Sequence, residues 1–157
     1  MLAKKTTYLI LVILGLCFVI EASAQSRLYP KGRDNSKNSL TAYAARVDSL
    51  LLNNRKLNSF AFTIRPSFTG ELGCYYENSE LVLRIANKCI WYSKNIEINE
   101  YRCKISDEAA NSINQLFFAA IFSSSYLAKP DGLDGETYEL LVNGGYYTAE
   151  CWSPKKN

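Results

Sequence analysis

The spacing of apolar residues changes several times along the chain, and each change marks an element. From Tyr8 to Ile20 the run is almost wholly apolar. From Gln25 to Asn38 it disappears: Pro30, Gly32 and interspersed Lys, Arg, Asp, Asn and Ser leave no apolar period, which predicts a loose leader. From Ser39 onward Leu40, Tyr43, Ala44, Val47, Leu50 and Leu51 recur at three- and four-residue spacing. That is the period of an amphipathic helix, which Asn53-Asn54 can end.

The period then shortens to two. Phe60, Phe62 and Ile64 alternate with Ala61, Thr63 and Arg65 before Pro66, as in a half-buried strand. Gly70 to Gly73 and Asn78-Ser79 punctuate two further strands, around Cys74-Tyr75-Tyr76 and over Glu80 to Ala86. Ser93-Lys94-Asn95 separates a strand at Cys89-Ile90-Trp91-Tyr92 from one over Ile96 to Ile105. These connections are too short for parallel crossovers and predict an antiparallel meander.

Helical spacing returns after Ser106, a suitable N-cap, with Asp107 and Glu108 where the positive end of the helix dipole favours acids. The expected buried stripe is Ala109, Ala110, Ile113, Leu116, Phe117, Ala120 and Ile121. Past the turn-forming stretch Lys129 to Gly135, strands over Glu136 to Val142 and Tyr146 to Trp152 flank Asn143-Gly144-Gly145, a hairpin signal. The order helix, strands, helix, hairpin predicts an α+β domain over residues 39–157. Its largely antiparallel sheet would carry two helices packed on one face. No internal repeat or second domain is indicated.

The apolar run changes the reading of everything after it. Lys4 and Lys5 precede it and Ala22-Ser23-Ala24 follow it, the layout of a secretory signal peptide over residues 1–24, cleaved between Ala24 and Gln25. A membrane span needs about 20 apolar residues, more than this run supplies before small and polar residues intervene. A lipoprotein signal is disfavoured because Leu16 precedes Cys17 and Phe18-Val19-Ile20 continue the apolar run beyond it. The expected destination is secreted or periplasmic, with no stable membrane insertion after cleavage.

Processing would remove Lys4, Lys5 and Glu21, taking the formal net charge from +3 to +2. That balance advertises neither nucleic acid nor an anionic membrane surface. It would also remove Cys17 and leave Cys74, Cys89, Cys103 and Cys151. In an oxidising compartment four cysteines suggest two structural disulfides, with three connectivities open. None stands at the Cys-x-x-Cys spacing of zinc or thioredoxin-like sites.

The final hairpin also carries a family resemblance. Gly132-Leu133-Asp134-Gly135-Glu136-Thr137-Tyr138, followed by Cys151-Trp152-Ser153-Pro154, resembles a terminal Leu-Asp-Gly-x-x-aromatic strand ending in Trp-Ser-Pro that recurs in small, uncharacterised bacterial proteins, many of them exported. The match covers about one sixth of the chain. It implies a shared fold element and brings no activity, cofactor or catalytic residue.

The chemistry of the chain is defined first by what it lacks. There is no histidine, which removes the usual general base, the Ser-His and Cys-His pairs and the commonest metal ligand. Ser153-Pro154-Lys155-Lys156 fits a Ser-x-x-Lys string but lies in a tail rather than at a buried helix start. Asp131, Asp134 and Glu136 could supply carboxylates for glycoside hydrolysis or oxygen ligands for a cation. Asp and Gly alternating in this stretch are also ordinary turn chemistry, and no EF-hand pattern is present. No metal or cofactor is expected.

Aromatic residues concentrate in the predicted strands. Adjacent pairs Tyr75-Tyr76, Trp91-Tyr92 and Tyr146-Tyr147 would each send one ring away from a core lying on one side of the sheet. These six are the candidate binding residues, for a protein or a glycan, although strand propensity alone also enriches aromatics. The expected function is a non-catalytic secreted or periplasmic protein that recognises a macromolecule, inhibitor-like or immunity-like. A carbohydrate-binding module and a carboxylate-dependent hydrolase are the alternatives.

Overall fold

The computed structural model describes residues 29–30, 39–53, 59–124 and 135–154. The elements are β1 (Tyr29–Pro30), α1 (Ser39–Leu51), β2 (Phe60–Pro66), β3 (Leu72–Glu77), β4 (Glu80–Ala86), β5 (Ile98–Lys104), α2 (Asp107–Phe122), β6 (Gly135–Val142) and β7 (Tyr147–Pro154). The strands form one sheet in the order β1-β7-β6-β2-β3-β4-β5, and every neighbouring pair is antiparallel. The α+β class, the antiparallel sheet and the two helices packed on it are as the sequence indicates. The expected signal segment and most of the expected leader lie outside the described residues.

Turn chemistry sets the strand connections. Asn78 and Ser79 both take positive φ, 50° and 63°, and join Glu77 to Glu80 in the two-residue turn whose twist matches the flanking strands. Asn143, Gly144 and Gly145 are likewise left-handed, and the N–H of Gly145 and of Tyr146 close the β6–β7 turn on the carbonyls of Val142 and Asn143. Ser106 caps α2 by accepting from the N–H of Ala109 at 3.2 Å.

The two helices lie on opposite faces of the sheet rather than sharing one. Ala110 and Ile121 of α2 pack with Phe60, Phe62, Cys74, Leu81, Leu140 and Val142. The residues between those, pointing the other way, form a second core under α1. Leu52, just past α1, meets Ala61, Tyr75, Val82 and Leu141, and Val47 and Leu51 meet Ala86 and Ile90. Small side chains make this possible: a Cβ on Gly73 would lie 2.7 Å from Cβ of Leu51, so α1 sits where only a glycine fits. The alternation Phe-Ala-Phe-Thr-Ile-Arg in β2 suggests one buried face, yet Ala61 and Thr63 are as buried as the phenylalanines.

The segment Cys89 to Tyr92 is a turn, not a strand. The Ser93 N–H closes the turn on the Cys89 carbonyl at 3.1 Å, and side chains take the place of a ladder for the rest. Glu71 accepts the N–H of Ile90 at 2.7 Å, and Arg46 of α1 donates to the carbonyls of Ile90 at 2.9 Å and Ser93 at 2.8 Å. Ile90 is thereby buried against Val47 and Leu51, which contributes about 1.5–3 kcal/mol of transfer free energy.

Candidate functional site

The six candidate aromatics divide into an interior pair and two surface pairs. Tyr75 is wholly buried under α1, with the Arg84 guanidinium 5.5 Å from its ring centre. Loss of water around the phenol raises its pKa. It has no surface to offer a ligand and is corrected to a core residue. Tyr76 faces α2, stacks on Phe60 at 5.7 Å and donates from its phenol to Oδ1 of Asp107 at 3.3 Å, tying the start of α2 to β3.

Trp91 and Tyr92 stand at the surface on the turn held by Glu71 and Arg46. Trp91 packs edge-on to Tyr43 of α1 at 4.8 Å, and Tyr92, 71 % exposed, meets Trp91 at 6.4 Å. The turn is fixed from both sides of its backbone, so these rings are presented on a rigid mount.

Tyr146 and Tyr147 belong to a larger aromatic surface that includes two residues outside the expected helical stripe. Phe118 stacks on Phe122 at 5.9 Å, both lie against Tyr147 at 6.1 and 5.5 Å, and Tyr146 meets Tyr147 edge-on at 4.9 Å. Tyr146 is 72 % exposed and Phe122 68 %. The signal for Phe118 and Phe122 is their i, i+4 spacing, which places both on one side of α2 next to the buried stripe. Beyond its first turn, where Asp107 and Glu108 are exposed, the outer face of α2 continues this surface without charge: Asn111, Ser112, Gln115, Leu116 and Ala119 are all exposed. Leu116, expected in the buried stripe, belongs to this outer face.

Charged groups are buried on the α1 side. Glu71 accepts from the phenol of Tyr43 at 2.8 Å as well as from Ile90, and the Cys89 thiol lies 3.6 Å from the same carboxylate. Arg65 reaches Oε2 of Glu139 at 3.4 Å and Oε2 of Glu150 at 3.3 Å. These two glutamates face each other across β6 and β7, and the guanidinium between them offsets a like-charge pair. Both groups of charges bind the fold together, with Glu71, Glu139 and Glu150 themselves buried.

Of the candidate hydrolase carboxylates, Asp131 and Asp134 lie outside the described residues. Glu136 accepts from the phenol of Tyr138. Burial and this hydrogen bond raise the Tyr138 pKa. Among the described residues no group of three or more Cys, Asp or Glu is placed to hold a metal ion.

The expected disulfides are absent: no bridge joins Cys74, Cys89, Cys103 and Cys151. Strand order explains why. Cys74 and Cys103 point to the α2 face from β3 and β5, with β4 between them. Two strand spacings are about 9–10 Å, beyond the roughly 7 Å that a disulfide spans. Cys151, on β7, is separated from Cys74 by β6 and β2, and Cys89 sits on the other face beside Glu71.

No protein family, curated protein or solved structure matches this chain. Among the described residues no helix is long and apolar enough to cross a membrane.

Proposed function

We propose that this is a non-catalytic exported protein that recognises a macromolecular partner, in the manner of an inhibitor or immunity protein. The contact surface is Phe118, Phe122, Tyr146 and Tyr147 with the uncharged part of the outer face of α2 that follows its first turn. The observation that carries this reading is the exposure of contiguous aromatic rings beside a helix face that carries no charge beyond its first turn. Interface centres are enriched in aromatics and depleted of charge, and a few such residues carry most of the binding energy. The rings sit on a helix and a tight hairpin, so little ordering entropy is lost on binding. The missing histidine supports a role without catalysis, and the sequence from Met1 to Ala24 supports export.

The test is capture of partners from the exported fraction on the immobilised processed protein, beside Phe122→Ala and Tyr146→Ala. A partner retained by the wild type and by Tyr92→Ala, but lost by those two variants, is the expected result. Equal retention by every variant overturns the surface, and no specific partner overturns the function.

A glycan is the second reading, favoured by the mounting of Trp91 and Tyr92 on a turn fixed by Arg46 and Glu71. Glycan retention lost in Trp91→Ala and kept in Phe122→Ala would select it. Retention unchanged in Trp91→Ala removes it.

A further inference from the structure

The outer edge of β5 carries an inference independent of the aromatic surface. In the β4–β5 ladder the carbonyl of Glu97 accepts from Asn87, and Ile105 donates to Ser79. With the register Leu81↔Cys103 and Leu83↔Tyr101, these bonds turn the backbone groups of the odd-numbered residues toward β4. The N–H and C=O groups of Ile98, Glu100, Arg102 and Lys104 therefore point away from the sheet, where no strand follows among the described residues. Such an edge is a template for another strand.

Its side chains select what pairs with it. On the α1 face the charges already alternate across strands. Arg84 donates to Glu100 at 2.7 Å, Arg102 donates to Glu100 at 2.7 Å, and Arg102 lies 3.3 Å from Glu80. On the α2 face Tyr101 is 57 % exposed beside half-buried Leu83 and Ile85. We propose that this edge is a self-association surface. A second copy of the chain pairs antiparallel with it, setting Glu100 opposite Arg102 of the second copy and Tyr101 opposite its own counterpart.

Of the symmetric registers centred on Glu100, Tyr101 or Arg102 this one alone avoids like charges, and it pairs the whole of β5, setting Ile98 opposite Lys104. A shift one way sets Arg102 against Arg102, and a shift the other way sets Glu100 against Glu100, both destabilising. The proposed register places each Glu100 between its own Arg84 and Arg102 of the second copy, continuing the alternation across the joint. It also makes Tyr101 a non-hydrogen-bonded pair, the arrangement in which facing side chains approach most closely. Two rings and the adjoining apolar surface then leave water together.

The test is sedimentation of the protein as the cell processes it, over a wide concentration range, with circular dichroism on each variant to verify folding. The expected result is a concentration-dependent dimer that Glu100→Arg weakens roughly tenfold or more and that Glu100→Arg with Arg102→Glu restores. Arg102→Glu alone should weaken it equally, and serves should Glu100→Arg fail to fold. A wild type that stays monomeric, a dimer indifferent to the single changes, or one the double exchange does not restore overturns the proposal.

Discussion

Tyr43 and Glu71 meet at 2.8 Å, the phenol donating to a carboxylate that has no contact with water. Burial first, and then this hydrogen bond, push the Tyr43 pKa upward. The same carboxylate takes the N–H of Ile90, so one side chain ties α1, the start of β3 and the Trp91 turn together. Glu71→Ala leaves a buried N–H and a phenol without their acceptor. Hydrogen bonds to a charged group contribute about 1.5–3 kcal/mol each, and a loss of about 3 kcal/mol in urea unfolding is expected. Glu71→Gln, which keeps one acceptor oxygen, should lose less. The Trp91 turn should loosen with it, seen as a red shift in tryptophan emission; an unshifted spectrum would show that Arg46 alone holds the turn.

Thiol reactivity follows from the placement of the cysteines. Burial pushes the Cys74 thiol up to about 12, and it also raises Cys89. Thiolate is the reacting form. A disulfide reagent at mildly alkaline pH should modify Cys103, the one of the four not buried, well before the others. In the protein without residues 1–24, denaturation without reductant should then expose all four. Fewer than four thiols in the denatured, unreduced protein would mean that a bridge forms after all.

The period-two and period-3.6 patterns were enough to place α2, β2, β6, β7 and the hairpin turns, because those elements are specified by their own residues. Ser106, Asn78-Ser79 and Asn143-Gly144-Gly145 each act locally, through a cap or a positive φ. The division of the helices between two faces was not legible, since it depends on Ala61 and Gly73 being small beneath Leu51 and Leu52, a contact between distant segments. The turn at Cys89 to Tyr92 misled for a similar reason. Its apolar residues have strand character, but its hydrogen bonds go to Glu71 and Arg46, 19 and 44 residues from Ile90. For the proposed contact surface, Tyr146 and Tyr147 are visible in the sequence as an adjacent pair. Their neighbours Phe118 and Phe122 come from another element and are joined to them only by the fold.

Arg65 stands between two glutamates that the β6–β7 register sets face to face. Removing the guanidinium leaves two carboxylates in a poorly solvated site without their shared cation. Breaking a buried ion cluster in this way costs about 3–5 kcal/mol, so Arg65→Met should lower the urea midpoint sharply. Replacing Glu139 by Gln in the Arg65→Met background relieves the like-charge contact and should recover part of the loss. No recovery would mean that Arg65 stabilises the sheet by packing alone.

Glu100 gives the fold a small acid-sensitive contribution. Hydrogen bonds from Arg102 first, and then from Arg84, hold its pKa below the ordinary carboxylate value. A carboxylate depressed in the folded state binds its proton more readily when unfolded. Its stabilisation is therefore complete above the unfolded value near 4.3 and fades as the pH falls through the lower, folded value. The side chain is partly exposed, and pairs of this kind contribute below about 1 kcal/mol. At one fixed protein concentration, Glu100→Gln should be slightly less stable than the wild type at neutral pH, with an unchanged difference down to about pH 5. Below about pH 4 the two urea midpoints should converge. A difference that persists or grows in acid would show that the hydrogen bonds to Glu100, and not its charge, carry the effect.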